Sequence, residues 1–250
     1  MSHPALPTLP VVHGEWLKTR STRAVLATLL SIPVVTVGMT LISTLATADA
    51  EPGALGDDPL LAAFFGINFG QVAAVAFGAT AVAGEFRDGA LRLSLITVPH
   101  RVRFHLSKML VIGGLALVVG EFTGLATFLA GQAAMGEAAL SLGDPGAARA
   151  VVGAGVHLAL LALLSAGLTT LLRSGALVLG LLIPVLLILP FVVGQVAGGL
   201  GRFMPDRAGQ AVLRSVPGEA LDPWTGLAVA ALWSITALAA GLVALHRRDA

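Results

Sequence analysis

Six stretches of the chain, each close to 20 residues long and nearly free of charge, leave it few ways to fold. They run over about 24–46, 60–84, 109–131, 150–172, 175–196 and 224–245. At about 1.5 Å per residue, each reaches across a hydrocarbon core of about 30 Å as a helix. Inside a bilayer every backbone N–H and C=O needs a partner within the protein, so helices are expected. The runs do not alternate as barrel strands would. Pro33, Pro184 and Pro190 sit within runs and predict kinks. The composition agrees: 56% of the 250 residues are hydrophobic and 12% charged. A soluble domain carries roughly 25% charged residues, so this chain lacks the polar groups to cover a wetted surface. The expectation is an all-α membrane protein: a cytoplasmic tail over 1–23, a six-helix transmembrane domain over 24–245, and a short tail over 246–250.

Lys and Arg set the expected orientation. With the N-terminus inside, the inner segments hold Lys18, Arg20, Arg23, Arg87, Arg92, Arg101, Arg103, Lys108, Arg173, Arg247 and Arg248. The outer segments hold only Arg149, Arg202, Arg207 and Arg214. This bias places both termini in the cytoplasm. The first outer loop, with Asp49, Glu51, Asp57 and Asp58, has no cation. Ala46-Thr47-Ala48 resembles a signal cleavage site. The apolar run before it exceeds the 7–15 residues of a signal peptide, so an uncleaved first helix is expected. The stretch 197–223 is rich in Gly and Pro yet holds Phe203, Met204, Val212 and Leu213. It reads as a re-entrant or interfacial segment, or a long loop.

Several chemistries are excluded. There is no cysteine, hence no disulfide or thiolate. Lys18 follows Leu17 and Lys108 follows Ser107, so neither lysine belongs to a phosphate-cradling P-loop. There is no H-E-x-x-H helix and no G-x-S-x-G elbow. The histidines are dispersed; His100 and His105, the closest pair, fall in a stretch read as a polar loop. No cofactor, metal site or enzymatic constellation is expected, and no basic face suggests nucleic acid.

Two segments on the inner side mix charges with apolar anchors. The first is His13 to Arg23, with Glu15, Trp16, Lys18 and Arg20. It reads as an interfacial helix with Trp16 at headgroup level, or as an ordinary basic flank. The second runs from Gly84 to Pro99 and holds Glu85, Phe86, Arg87, Asp88, Gly89, Leu91 and Arg92. A short helix is expected after Gly89, with Phe86, Ala90, Leu93 and Thr97 on one face. Pro99 should end it. It reads as a basic loop or as a docking helix for a cytoplasmic partner.

In order and in distance from the first two spans, these segments resemble those of permease subunits of type-2 ABC exporters, of the short actinobacterial kind. The N-terminal helix is similar at Glu15, Lys18, Arg20 and Arg23. The coupling segment is similar at Glu85, Gly89, Leu91, Leu95, Pro99, Arg101 and Lys108, with Ala90 where the family usually has Thr. Gly120-Glu121-Phe122 with Phe128 to Gln132, and the tail from His246, also resemble the family. The resemblance implies a plasma-membrane dimer of six-helix subunits with a separate ATP-binding subunit docked from the cytoplasm. On that view Glu85 to Arg92 would meet the ATPase, while the transported substrate stays unspecified.

Within the spans, Glu121, Gln71 and His157 are the candidate polar positions. A charge at mid-span costs roughly 2.5–3.5 kcal/mol on insertion scales, so Glu121 should face the bundle or be protonated. A structural role is favoured for it, and packing roles for Gln71 and His157. The competing readings are an ion- or proton-coupled transporter using Glu121, and a membrane assembly protein that transports nothing. The spacings Gly66/Gly70, Gly120/Gly124 and Gly194/Gly198 would permit close helix contacts.

Overall fold

A computed structural model describes residues 8–47, 58–87, 89–133, 135, 139–190, 192, 198–215 and 221–247. Among these residues the chain is helical and has no strand. The α-helices are α1 (Thr8–Ser21), α2 (Arg23–Ala46), α3 (Pro59–Ala63), α4 (Ile67–Ala83), α5 (Ala90–Thr97), α6 (Arg101–Ala133), α7 (Ala147–Leu172), α8 (Gly175–Leu187), α9 (Pro205–Gln210) and α10 (Pro223–Arg247). Tight 3₁₀ turns cover Gly84–Phe86, Gly198–Phe203 and Ala211–Leu213. Five helical segments are long and apolar enough to cross a membrane: α2, α4 with the turn that follows it, α6, α7 and α10.

The helix α7 forms the axis of the bundle. Of its apolar window 72% is buried, against 28% for α2. Small residues let its neighbours approach. A Cβ on Gly78 of α4 would overlap Ala162 O of α7, and Ser165 Oγ donates to Val75 O at 2.7 Å. Cβ atoms on Gly120 and Gly124 of α6 would fall 2.7 Å from Gly155 O and 2.5 Å from Val151 O. Ser234 Oγ of α10 donates to Leu160 O at 2.8 Å. In α2 the threonines face inward: Thr36, Thr40 and Thr44 continue the buried line begun by Val25, Leu29 and Ile32, while Leu30, Val34, Ile42 and Leu45 are exposed. Gly66 and Gly70 make room for Thr36, and Gly66 N donates to Thr40 Oγ1 at 3.1 Å. A water-soluble helix would carry the reverse pattern; close packing through small and hydroxyl side chains is what a lipid solvent favours. Two of the three glycine pairs noted in the sequence thus mark helix crossings. In the third, Gly194 lies outside the described residues.

Several expected boundaries are corrected. The second span is not one run from 60. It breaks after α3 and resumes at Ile67, with Gly66 wedged against Thr36. The third starts at Arg101, eight residues before the expected 109, because His105 and Lys108 are buried by neighbouring helices and need no solvent. His105 therefore sits in a helix rather than a polar loop. The fifth is not one helix over 175–196. Helix α8 passes through Pro184 and ends at Leu187. Pro190 has no N–H to offer Leu186 O, which accounts for the interruption at Ile188. Helix α2 is unbroken at Pro33.

The helix ends sort into two groups. The starts of α2 and α6 and the ends of α4, α7 and α10 gather with α1 and α5; we refer to this as the charged end. There Arg173 closes α7 in the left-handed region, φ 55, and its guanidinium lies 5.8 Å from the Phe86 ring centroid. Arg101 donates to Leu245 O and, at 3.3 Å, to His246 O. At the opposite end Asp58 caps α3 through Leu60 N and Leu61 N and accepts from Ser215 N at 2.8 Å. Between α8 and α10 the segment 198–213 folds back into the bundle. Val212 meets Gly153, Gly209 meets His157, and Phe203 O accepts from Trp233 Nε1 at 3.0 Å. This is the re-entrant alternative of the sequence reading, not a surface loop.

Candidate functional site

The charged end is held by one buried ionic cluster. Helix α1 turns Val11, Glu15 and Thr19 inward at four-residue spacing and leaves Leu9, Trp16, Leu17 and Arg20 exposed. Lys18, half-exposed, is three residues from Glu15 and reaches the same hollow. Helix α4 ends in the turn Gly84–Phe86, which carries Glu85 inward. Gly89, at φ 74, then starts α5, a conformation that side chains other than glycine rarely adopt. Helix α5 presents Ser94, and α6 presents Lys108.

Lys18 Nζ uses its three donors on Ser94 Oγ at 2.9 Å, Glu85 Oε1 at 3.0 Å and Glu15 Oε1 at 3.1 Å. Lys108 Nζ pairs with Glu15 Oε2 at 2.7 Å and Glu85 Oε1 at 2.9 Å. That ammonium is the polar neighbour of Glu15 Oε2, an ion pair without hydrogen-bond alignment. Ser94 Oγ in turn donates to Glu85 Oε2 at 2.8 Å. The Phe104 ring lies 5.7 and 5.8 Å from the two ammonium groups, within cation–π range. Glu15, Glu85 and Lys108 are each less than 9% exposed. Burying three charges would be prohibitive singly. Two carboxylates against two ammoniums make the cluster neutral, with each charge paired. Burial works to lower the Lys18 pKa, but Glu15, then Glu85, outweigh it and hold it above the usual lysine value.

The arrangement binds its members to one another, with the Ser94 hydroxyl bridging Lys18 and Glu85. Its physical effect is mechanical. Four separate pieces, α1, the end of α4, α5 and the start of α6, converge on the same charged groups, so displacing α5 must strain the other three.

The structure brings together Glu15, Lys18 and Glu85 from the expected site residues. It separates Trp16 and Arg20, which face outward. Within the expected docking segment, Glu85 is consumed by the lysines. Phe86 packs on the core beneath Arg173, and Leu91 packs with Phe104 and Leu245. All three also line a surface hollow of about 290 Å³, together with Gly89, Arg92 and Arg173. Arg87, Gly89 and Arg92 remain at the surface, and Asp88 lies outside the described residues. The buried face of α5 is Leu91 and Ser94, and the face shared by Leu93 and Thr97 points outward; Leu93 and Ile96 are 67% and 77% exposed. Ser94 and Phe104 were missed. Lys108 figures in the sequence reading as an inner cation of the coupling segment, without its pairing to Glu15 and Glu85.

The intramembrane candidates do not form one site. Glu121 is partly buried on α6, where Gly155 leaves room for its carboxylate: a Cβ there would fall 2.6 Å from Cδ. His157 and Gln71 are fully buried. Neither ring nitrogen of His157, nor Gln71 Oε1, has a hydrogen-bond partner among the described residues. Nearby in sequence to the His157 contact, Gln210 Nε2 donates to Asn68 Oδ1 at 3.2 Å. Asp206, one turn before Gly209, is buried, and burial pushes its carboxyl up to about 6 against the weaker opposing effect of Arg207. Among the described residues no group of three or more His, Asp or Glu is arranged to hold a metal.

No protein-family model matches the chain, and no curated protein does. The functional reading therefore rests on the geometry and on the sequence resemblance.

Proposed function

We propose that this chain is the membrane-spanning permease subunit of an ABC transporter, an exporter of the type-2 kind, worked by a separate ATP-binding subunit. The observation that carries the reading is the ionic cluster. A permease without its own ATPase needs a part that meets the ATPase and a stiff link from that part to the spans. Helix α5 offers the first: Leu93, Ile96 and the exposed Arg87 and Arg92 form an amphipathic surface suited to a groove on a partner. Ser94, Glu85, Lys18 and Lys108 offer the second. On this reading the charged end faces the cytoplasm of a plasma-membrane protein, in accord with the positive-inside bias. On the same reading the chain crosses six times, the stretch after Ser174 supplying the crossing beyond the five long helices. Two such subunits line the path of a substrate whose identity the reading leaves open.

The test is the double substitution Leu93→Asp with Ile96→Asp. Neither side chain contributes to the cluster, so membrane insertion and thermal stability should be unchanged. A P-loop ATPase should co-purify with the wild-type chain, its hydrolysis stimulated by the permease, and both should be lost in the double variant. A wild-type chain that brings no ATPase, or a double variant that keeps it, would refute the proposal.

A further inference from the structure

A surface hollow of about 640 Å³ lies between α1 and α6, and among the described residues only these two helices line it. Its walls are two helical stripes. From α1 come Leu9, Val12 and Trp16, with His13 the one ionisable side chain on either wall. From α6 come Leu110, Gly114 and Val118, each about a turn beyond the last. Leu9, Leu110 and Val118 are 79%, 65% and 70% exposed, so no described helix covers them. Glu15, on the neighbouring face of α1, holds that helix to α6 through Lys108.

Gly114 forms the floor. Further along the same helix Gly120 and Gly124 are closed off by α7, where a Cβ would fall within 3 Å of a backbone oxygen. A Cβ on Gly114 would meet no side chain, and no atom of a neighbouring helix, within 4 Å. This glycine therefore does not serve a helix crossing; it deepens an open hollow. The level of the hollow in a bilayer follows from α6, which is long and apolar enough to cross one. The ionic cluster marks its upper limit: Glu15 adjoins Trp16 and pairs with Lys108, two residues before Leu110. Val118 marks its lower limit, ten residues past Lys108 and about 15 Å along the helix. A hydrocarbon core is about 30 Å thick, so the hollow runs from the charged end to the middle of the core, the depth of one leaflet.

We infer that this hollow binds one acyl chain of a phospholipid from the leaflet at the charged end. Walls of aliphatic side chains around a bare glycine offer almost nothing to hydrogen-bond, so they select hydrocarbon over water. The depth selects a lipid tail over a second copy of the chain. A partner helix that crosses the bilayer would need a surface along the whole of α6, whereas the hollow stops at mid-core, where a tail also ends. The chain supplies what α1 lacks. Helix α1 has 14 residues, a length at which isolated helices are marginal. Of its apolar residues before Glu15, Leu9 and Pro10 are exposed and Val11 is buried. A seated chain covers Leu9, Val12 and Trp16, and so braces the helix that carries Glu15 and Lys18 into the cluster. The inference needs only that α6 crosses a bilayer, and it stands apart from the transporter reading.

The test reads the fluorescence of Trp16 in the full-length protein with Trp224→Phe and Trp233→Phe, which leave it the only tryptophan. Phosphatidylcholine brominated along its acyl chains, which quenches indole on contact, is titrated into the detergent-solubilised protein. Quenching should saturate, and Gly114→Phe, whose ring fills the hollow, should weaken binding at least about tenfold. Gly180→Phe, on an equally open glycine of α8, should change nothing. Should Gly114→Phe fail to assemble, Val12→Phe fills the hollow from the other wall, with the same loss expected. Quenching that grows without saturating, or that is unchanged in the filled variants, overturns the inference and leaves lipid as a mere solvent for α6. Quenching by brominated stearic acid but not by the phospholipid also overturns it. So does a Gly114→Phe protein that loses a dimer formed by the wild type while its lipid quenching stays the same, which would give the hollow to a second copy.

Discussion

At the charged end Glu15, Glu85 and Lys108 are buried, and each faces an opposite charge within 3.1 Å. Toward the other half of the bundle His157 and Gln71 are buried more deeply, and His157 Nδ1, His157 Nε2 and Gln71 Oε1 find no partner among the described residues. The two regions also draw their members from different kinds of structure. The ionic cluster joins helices through long flexible side chains that meet over a gap. The region around His157 is closed by backbone contact, where Gly209 and Gly153 admit the ring and Val212. The difference teaches what each can transmit. A paired ionic cluster resists the separation of its members, because pulling one away strands a buried charge. A glycine-lined contact resists compression strongly and separation only through the weaker loss of packing contacts.

Removing one cation should break the first region outright. Lys108→Met leaves two buried carboxylates facing Lys18 alone. Breaking a buried pair by truncating one partner costs about 3–5 kcal/mol. Chemical unfolding in detergent should show a loss of that size, and a loss below about 1 kcal/mol would mean that the cluster is not the joint described. Ser94→Ala is milder. It takes a partner from Lys18 Nζ and from Glu85 Oε2, both hydrogen bonds to charged groups, and should cost about 1.5–3 kcal/mol in the same measurement. Unchanged stability would show that water replaces the hydroxyl.

Much of this contrast follows from what a sequence displays and what it hides. The ends of α2, α7 and α10 were legible because apolar runs stop there at charges: 24–46 against Arg23–Ala46, and 224–245 against Pro223–Arg247. The start of α6 was not, because the same rule treats Lys108 as solvent-seeking, and only its partners make it a buried residue. Glu15 and Lys18 were readable as neighbours three apart on a helix. Glu85 lies 67 residues from Lys18, and nothing local announces their 3.0 Å contact. On α5 the face shared by Leu93 and Thr97 was legible, but nothing local says that Ser94, the polar residue among leucines, points inward to the cluster together with Leu91. The break at Gly66 was hidden by unbroken apolarity, since the cause lies on another helix, at Thr36. The closeness of Gly209 to His157 depends on the fold-back of 198–213, which composition left among several alternatives.

The second region should respond to added volume. A Cβ on Gly209 would overlap the His157 ring at Nδ1, and the ring is fully buried with little room to withdraw. Overpacking of this kind costs about 1–3 kcal/mol, so Gly209→Ala should destabilise by that amount. The same substitution in a His157→Ala background should cost less by about 1 kcal/mol or more, because the obstructing ring is gone. A double-mutant cycle by thermal or chemical unfolding reads this directly. Strict additivity would mean that the backbone shifts and the contact does not hold the re-entrant segment.

The smallest effect, and the sharpest contrast with Lys108, is expected for His157→Leu. At Lys108 an apolar residue removes a charge on which two carboxylates depend. At His157 no described side chain or backbone group depends on the ring nitrogens. Burial of an unsatisfied polar group costs about 1–3 kcal/mol, and leucine removes that penalty. Leucine also differs in shape from imidazole and leaves imperfect packing, a loss of about 1 kcal/mol for a volume change of this size. The two contributions oppose each other, so the net change should lie within about 1 kcal/mol of zero, with stabilisation as admissible as loss. A loss above about 2 kcal/mol would show that the nitrogens are satisfied in the folded protein, for instance by a buried water with polar partners. In that case both regions would be hydrogen-bonded cores, and the mechanical distinction between the charged end and the re-entrant half would fall.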